Sequence, residues 1–424
     1  MVNRKIPPPF KSITALSFPD VEQHQLKNDQ LLYGINTGVQ PAFKLEIIYE
    51  AGSKYHAQKS VATFASKMLL GGTSKYNSYE LAEQFSQYGG FTEVTQNAEQ
   101  LSFALYGLTH HLKNFLPLVN EVLTDCNFPE TEFVTQKQIA AQQLQVNLEK
   151  TSFVANQSFK AALFGDDHPL GQFASPEDIK NTDRSEVERF YKKHIKDQPF
   201  HVFLSGQFAD QHIQLIDTHL GSLNVQSTNG AIVLKEPEVP AKKLLIEKEG
   251  SLQSTIRMGR TMFTRKHPDY FPFLITNAVL GGYFGSRLMK NIREEKGFTY
   301  GISSSLIPLK SLGYFLIGTD VKGEFTQQTL DEIAKEIKTL QQEVVSTDEL
   351  TTVKNYIIGS VAGSVNNAFD IADKHKMLIR EGLTRSYYLD FVKNINAVTA
   401  QNVLDMANKY LTISDLTEVV VGGK

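Results

Sequence analysis

The sequence predicts an α+β protein of two homologous domains, each with a mixed β-sheet that helices cover mainly on one face. The first observation is an internal repeat, because three short matches recur in the same order at a nearly constant offset. The second is that helical patterns separate pairs of strands in both halves, which is typical of mixed sheets. The matched pairs are Leu69–Gly72 with Val279–Gly282, Gly90–Thr92 with Gly297–Thr299, and Phe103–Gly107 with Tyr314–Gly318.

Length and composition place the domain boundaries. A chain of 424 residues is too long for one ordinary hydrophobic core. From Ser222 to Lys243 the sequence is polar, contains two prolines and has no apolar period, as an interdomain linker should. We therefore predict an N-terminal domain over 1–221, a linker over 222–242 and a C-terminal domain over 243–424.

In the N-terminal half, runs of β-forming residues predict strands, and apolar periods of three to four residues predict helices. Glycine pairs at 71–72 and 89–90 end two of these helices, and Asn77-Ser78 caps the second. The predicted strands are 30–35, 43–49, 91–95, 101–108 and 201–205. The predicted helices are 60–70, 78–88, 112–124, 130–149, 185–191 and 210–220.

The same order of elements returns after the linker. The predicted strands are 243–247, 254–258, 298–302, 313–319 and 417–421. The predicted helices are 270–280, 287–296, 326–344, 347–364, 368–381 and 399–410. The final strand closes the second domain.

Charge and composition exclude several classes of partner. The formal net charge is only -3, and the basic residues form no stripe interleaved with aromatics, so we expect neither nucleic acid nor an anionic membrane. The single cysteine, Cys126, suits a reducing compartment. The first twenty residues lack the apolar core of a signal peptide, and no run approaches the ~20 apolar residues of a membrane span. We expect a cytoplasmic protein.

The stretch Gly281–Leu306 holds the candidate catalytic residues. Ser286 is predicted to cap a short helix that Gly297 ends in a left-handed turn, before a strand begins. This places Arg293 near the end of the helix and Tyr300 early in the strand. A guanidinium and a phenol in one pocket are groups that stabilise negative charge developing on a carbonyl oxygen. The competing interpretation is structural, since most Arg and Tyr residues at element ends serve the fold.

The histidines give no metal site by spacing alone. His110 and His111 are adjacent, so they point to different sides of a helix, and His212 and His219 have no suitably spaced acid. His168 lies in a turn, where a structural use is expected. No C-x-x-C, H-E-x-x-H or H-x-x-E-H string occurs, and no nucleotide-binding glycine motif occurs either.

Taken together, these motifs resemble the insulinase/pitrilysin family of inverted-zincin metallopeptidases, especially its bacterial members built from paired half-size subunits. The resemblance covers nearly the whole chain. Tyr49–Thr73 is similar to the segment that carries the family's zinc motif, and His168–Gly171 matches its H-P-x-G turn. Gly285–Leu288 with Arg293 and Tyr300 matches the signature of its C-terminal domain. The resemblance implies a fold that forms half of a clamshell.

The chain departs from the family at every zinc position. Thr63, Ser66 and Lys67 stand where the family's H-x-x-E-H motif has its two histidines and its glutamate, and Lys67 would place a cation where zinc should sit. The distal glutamate ligand falls near Ala140–Val146, which contains no acid. The resemblance therefore implies no metal in this chain and no hydrolysis of peptides by this chain alone.

Arg293 and Tyr300, in contrast, are retained. The resemblance implies that Tyr300 donates a hydrogen bond to the developing oxyanion and that Arg293 holds Tyr300 or the substrate. We expect the non-zinc subunit of a heteromeric zinc metalloendopeptidase that degrades peptides, with zinc in a homologous partner subunit and a homodimer as the form taken alone. The alternatives are a catalytically inactive structural or assembly subunit and a stand-alone peptide-binding module.

Overall fold

The structure is a computed structural model that describes residues 12–226, 232–235, 237 and 239–423. It contains a six-stranded sheet in the N-terminal half and a five-stranded sheet in the C-terminal half. Each sheet packs one face against helices of its own half around a large apolar core. The two cores are the centres of the two halves.

The N-terminal half begins with a short edge strand that the sequence analysis did not predict. Its strands are β1 Glu22–Gln25, β2 Leu31–Asn36, β3 Ala42–Tyr49, β4 Phe91–Gln96, β5 Leu101–Leu108 and β6 Phe200–Gly206. Its helices are α1 Val61–Met68, α2 Ser78–Ser86, α3 Leu112–Thr124, α4 Glu130–Leu148, α5 Thr151–Phe164, α6 Pro176–Asn181, α7 Arg184–His194 and α8 Asp210–His219. The predicted cap is confirmed, since Asn77 and Glu80 form a capping box at the start of α2.

The C-terminal half has the same plan, with additional short helices near its end. Its strands are β7 Lys243–Glu247, β8 Gln253–Met262, β9 Thr299–Pro308, β10 Gly313–Lys322 and β11 Thr417–Gly422. Its α-helices are α9 Tyr270–Asn277, α10 Thr326–Gln342, α11 Thr347–Ala362, α12 Ala368–Glu381, α13 Ser386–Leu389, α14 Phe391–Ala397 and α15 Ala400–Tyr410.

Sheet topology confirms the internal repeat. The N-terminal order β1-β2-β6-β3-β5-β4 and the C-terminal order β7-β11-β8-β10-β9 agree strand for strand once β1 is set aside. In each sheet the strand pair at one side is parallel (β2 with β6, β7 with β11) and the other pairs are antiparallel. The matched segments Gly90–Thr92 and Gly297–Thr299 lead into the equivalent edge strands β4 and β9. The predicted fold class, two α+β domains with mixed sheets, is confirmed.

The two halves exchange one helix each. Helix α5, from the N-terminal half, packs on the C-terminal sheet, where Phe159 is buried against β11. Gly259 on β8 permits this contact, because a Cβ there would lie 3.0 Å from the Phe159 ring and 1.9 Å from the Phe315 carbonyl oxygen. Helix α12, from the C-terminal half, packs through Ile371 on β2, β3 and β6 of the N-terminal sheet. Each sheet thus depends on the other half to cover its second face.

The first described residues cross to the C-terminal half as well. Phe18 stacks on Tyr388, with ring centroids 4.4 Å apart, and its carbonyl oxygen accepts hydrogen bonds from the Arg385 guanidinium. The ring of His375 lies 3.0 Å from the carbonyl oxygen of Pro19. The chain therefore binds the two halves together at three places.

The linker region is only partly described. Residues 227–231, 236 and 238 lie outside the described residues, and of the remainder Leu234 is buried in the cluster around α5. The exact boundaries 1–221, 222–242 and 243–424 stay a prediction. The exchange of α5 and α12 shows that a cut within the linker does not separate two self-contained cores.

A buried ion network joins α12 to the N-terminal sheet. Glu46 on β3 is 6% exposed and contacts both Lys44, at 3.0 Å, and Lys376 of α12. Asp373 lies 2.6 Å from Lys376, and the Ser102 hydroxyl donates to Glu46 at 2.7 Å. Burial alone would raise the pKa of Glu46, but the neighbouring charges and hydrogen bonds outweigh it, so the pKa of this carboxyl is lowered.

We predict that the two halves fold only together. Residues 1–226 and 232–424, produced separately, should each lack a cooperative thermal transition, because each would expose the sheet face that the other half covers. Co-expressed, they should copurify and unfold in a single transition. A sharp unfolding transition in either half alone, measured by circular dichroism, would contradict the exchange.

We also predict that Lys376→Met lowers the free energy of unfolding by about 3 kcal/mol, at the low end for a broken buried pair because Lys44 remains. Folding lowers the pKa of Glu46, so its contribution is present above the ordinary value of 4.5 and is lost as pH falls through the folded pKa. The deficit of the variant should therefore shrink below pH 4.5. Urea titrations at several pH values measure this.

The matched control is Lys335→Met. Lys335 pairs with Glu332 at 3.4 Å, but its side chain is 64% exposed. Its loss should change stability by less than about 1 kcal/mol, as for other surface pairs. Equal effects of the two substitutions would show that the buried network does not hold α12.

Candidate functional site

The glycine-rich turn before the candidate residues is framed by two π-helical segments. The first, Ala278–Gly282, extends α9, and the second, Met289–Glu295, carries Arg293. Such wide turns are rare and occur frequently at functional sites. The turn is fixed by Arg287, whose guanidinium donates twice to the Glu349 carboxylate of α11, at 3.0 and 2.9 Å.

The predicted side-chain cap of this helix is wrong. Ser286 is 1% exposed, and its hydroxyl has no hydrogen-bond partner among the described residues. The side chain is turned into the protein, and only its main-chain carbonyl serves the helix, accepting from the Lys290 amide at 3.0 Å. The helix therefore begins without the serine hydroxyl that the sequence pattern suggested.

The predicted end of the helix is confirmed. Gly297 has φ +68°, the left-handed conformation that favours glycine. The next amide, of Phe298, donates to the Ile292 carbonyl at 3.0 Å. Strand β9 starts one residue later, so Tyr300 is its second residue, as expected.

Arg293 and Tyr300 lie together, but the contact runs through the main chain. The Nε of Arg293 donates to the carbonyl oxygen of Tyr300 at 3.0 Å. Its guanidinium also lies over the ring of Phe284, 4.7 Å from the centroid, and 3.8 Å from the Glu294 carboxylate. Tyr300 itself is 96% exposed. Arg293 thus anchors the backbone of Tyr300 and leaves its phenol free.

A β-bulge also determines where the tyrosine lies. Thr319 pairs with Ile302 and Val321 pairs with Thr299, so Tyr300 and Gly301 on β9 both oppose Asp320 on β10. Bulges of this kind bend a strand and re-aim its side chains. The Thr299 hydroxyl secures the bulge by donating to the Asp320 carbonyl at 2.7 Å. The sequence analysis missed this feature, since nothing in the pattern of β9 marks it.

The three substituted zinc positions lie on α1, as the resemblance implies. The Thr63 hydroxyl donates to the Gln96 side chain at 3.3 Å, and the Ser66 hydroxyl donates to the Thr63 carbonyl at 2.8 Å. Lys67 is exposed. Two hydroxyls and an ammonium group do not fit zinc, which takes thiolate, imidazole and carboxylate ligands.

Helix α4 runs beside α1, where the resemblance places the distal ligand, but residues 140–146 contain no acid. Within the described residues, no three His, Cys, Asp or Glu side chains are grouped so that they could hold a metal ion.

Lys67 lies outside the cavity that borders Thr63. Thr63 and Gln96 line a cavity of about 440 Å³, hereafter the Thr63 cavity, and Lys67 is absent from its lining. The larger cavity of about 730 Å³ lies between the two halves, and neither Arg293 nor Tyr300 lines it. The expected pair is therefore an exposed feature outside both cavities.

His168 has the structural role that its turn predicts. Its Nδ1 accepts from the Leu170 amide at 3.2 Å, and its Nε2 lies 3.1 Å from the Lys235 carbonyl oxygen. Burial lowers the pKa of this imidazole, and so favours its neutral form. The turn thereby ties the end of α5 to the linker.

Comparison with known families agrees with this geometry. The sequence model described as "Insulinase (Peptidase family M16)" matches residues 36–173, and the one described as "Peptidase M16 inactive domain" matches residues 181–357. The chain belongs to the insulinase family. The two matches correspond to the two halves of the repeat, except that the second begins at the end of α6, within the N-terminal half.

Curated relatives include two proteins of Bacillus subtilis. The "uncharacterized zinc protease YmxG" is 22% identical over 85% of this chain and 88% of its own length. The "probable inactive metalloprotease YmfF" is 22% identical over 55% of this chain and 54% of its own length. One of these relatives is thus named as a zinc protease and the other as an inactive metalloprotease.

Solved structures share the fold across the whole chain. A peptidase M16 inactive domain from Pseudomonas fluorescens is 22% identical with a TM-score of 0.85, over 96% of this chain and 99% of that one. The periplasmic protease PqqL from Escherichia coli is 15% identical with a TM-score of 0.78, over 98% of this chain but only 47% of that one. PqqL is therefore about twice as long as the fold described here.

None of the helices in the part of the chain that the structure describes is both long enough and apolar enough to cross a bilayer.

Proposed function

We propose that this chain is the non-zinc subunit of a heteromeric zinc metalloendopeptidase that degrades peptides. It supplies half of a peptide-binding chamber and the Arg293–Tyr300 pair, while a homologous partner subunit carries the zinc. The proposal rests on one observation above all. Arg293 and a β-bulge fix the main chain of Tyr300, yet the phenol is 96% exposed.

A structural tyrosine normally buries its ring, because the ring supplies much of its contribution to stability. The ring of Tyr300 is exposed instead, and the Arg293 guanidinium binds the main chain of Tyr300 rather than a carboxylate across the core. Anchoring the main chain limits the motion of a side chain that must act at a defined point. This arrangement suits a donor that meets its acceptor on another subunit or on a substrate.

The chemistry expected of Tyr300 is hydrogen-bond donation. Zinc in the partner would polarise the scissile carbonyl and lower the pKa of a bound water. A phenol placed beside that carbonyl oxygen donates to the oxyanion more strongly as negative charge develops. The hydroxyls and ammonium group on α1 of this chain offer no zinc ligands, so no hydrolytic step is assigned to α1.

The length of PqqL supports a two-part chamber. Nearly all of this chain aligns with 47% of that protease, so the longer chain has room for a second half that this chain lacks. We infer that a separate subunit provides that half here, with a homodimer as the form taken without the partner. The cytoplasmic location also stays a proposal, since PqqL is described as periplasmic.

A structural or assembly subunit is the second candidate. The name of YmfF, "probable inactive metalloprotease", favours it, as do the substitutions on α1. Under this alternative the Arg293–Tyr300 pair has no effect on turnover. Kinetics of the assembled complex distinguish the two candidates.

We predict that Tyr300→Phe lowers kcat of the complex on the order of 10²–10³-fold, the usual loss for one oxyanion donor. KM and assembly should change little, because the hydrogen bond strengthens mainly in the transition state. Steady-state hydrolysis of an internally quenched peptide by the copurified complex measures both constants. Arg293→Ala should be at least as harmful, and Arg293→Lys should rescue only partly, since lysine lacks the guanidinium fork.

Tyr79→Phe is the matched control, because Tyr79 is 75% exposed and lies on α2, in the other half. It removes a surface phenol and should leave kcat unchanged. Size-exclusion chromatography of every variant checks assembly separately. Wild-type kcat in the Tyr300→Phe complex would reject the catalytic role in favour of the structural subunit.

A further inference from the structure

The Thr63 cavity borders α1 through Thr63, one of the three substituted zinc positions, and its lining is unusual in charge. Three cations line it: Lys59, Lys160 and Arg380. Glu99 is the one acid among the described residues that line it. The larger cavity differs, since its four cations are matched by four acids: Lys266, Lys310, Lys376 and Arg380 with Glu46, Glu50, Asp373 and Glu381.

Two of the charges in the Thr63 cavity have partners outside it. Glu99 is 8% exposed and lies 3.9 Å from the ammonium group of Lys54, whose side chain is itself buried. Arg380 donates to Glu381 at 2.9 Å through Nη2, although its buried Nε has no hydrogen-bond partner among the described residues. Lys59 acts electrostatically on Asp178, which lies outside the cavity, so among the described residues the cation without an acidic neighbour is Lys160.

Lys160 is the more unusual of the two. It extends from the exchanged helix α5, and its ammonium group lies over the Phe173 ring, 6.0 Å from the centroid. Burial lowers the pKa of Lys160, and no acid among the described residues offsets that effect. A half-buried ammonium group without a carboxylate costs stability unless an anion joins it.

The remaining walls are largely apolar. Aromatic and aliphatic side chains surround the cations: Phe164, Phe173, Leu170, Leu309 and Tyr314. Phe164 packs edge-on against Tyr314, with centroids 5.7 Å apart, so this wall is preformed. A volume of about 440 Å³ lies at the small end of the ~300–1,000 Å³ typical of ligand pockets, which suits the end of a peptide chain.

We propose that the Thr63 cavity binds the free α-carboxylate of a peptide whose C-terminal residue is apolar. Lys160 and Lys59 pair with the carboxylate, and the aromatic wall receives the side chain. This inference rests on the proposed function in one respect only, which is that the ligand is a peptide. Cations from α5 and from the residue before the start of α1 supply the positive charge of this anion site.

Calorimetry on the full-length chain without any partner tests this. The probe is acetyl-Ala-Ala-Ala-Phe with a free carboxylate, compared with its C-terminal amide and with the amide of acetyl-Ala-Ala-Ala-Glu. The free acid should bind about tenfold or more tightly than either amide, as expected for charge-assisted hydrogen bonds. Lys160→Met should abolish the difference, and Lys160→Arg should retain most of it.

Lys67→Met is the control, because this exposed lysine lies on neighbouring α1 but outside the cavity. It should bind like the wild type. Lys160→Met should fold normally, with an unchanged or raised melting temperature, since it removes an unpaired charge from a half-buried site. A loss of melting temperature would show that Lys160 has a partner in the fold and would overturn the argument.

Equal binding of the acid and its amide, or tightest binding of the glutamate peptide, would also overturn the assignment. These readouts require no turnover. A failure here leaves the Tyr300 kinetics intact, and a failure of the kinetics leaves the carboxylate site intact.

Discussion

The structure depends on the exchange of helices between its two halves. Each sheet has one face covered by helices of its own half, and α5 and α12 cover part of the other face across the boundary. Without the exchange, apolar side chains such as Phe203 and Val419 would face water. The buried ion network around Glu46 adds ion pairs to the contact between α12 and the N-terminal sheet. Both candidate sites lie on the framework that this exchange makes rigid.

The two candidate sites lie in different halves of the repeated fold and differ in the side chains that they present. On the C-terminal half, a π-helical turn, a glycine in the left-handed conformation and a β-bulge hold one tyrosine outward. On the N-terminal half, α1 carries two hydroxyls and an ammonium group at the positions that the resemblance aligns with the family's zinc motif. The neighbouring helix α5 places Lys160 beside it. Substituted zinc positions in one half and an anchored, exposed tyrosine in the other are what the proposed division of labour between subunits requires.

Much of the fold could be predicted because its signals are local. Alternating apolar residues indicated most strands, and Asn77 and Gly297 indicated helix ends. The internal sequence repeat predicted the matching sheets. The sequence analysis did not predict helix α5, because no side chain caps its start and its apolar residues occur on more than one face. Its packing on the other half depends on distant β8 and β11, which no local pattern reveals.

The candidate site could also be predicted only in part. The spacing of Arg293 and Tyr300 across a glycine stop correctly predicted their proximity. The main-chain contact, the bulge at Asp320 and the buried Ser286 depend on sheet register and π-helical geometry, which the spacing does not encode. Lys67 was the cation expected in place of zinc, but helical geometry leaves it exposed. Lys160 could not be found without placing α5.

The central claim is that this chain completes an active site that a zinc-bearing homologue cannot form alone. Titration of a fixed amount of that purified homologue with this chain tests it most directly. The rate of peptide hydrolysis should rise from near background and reach a plateau when the two chains are present in equal amounts. Full activity of the homologue alone, unchanged by any amount of this chain, would contradict the account.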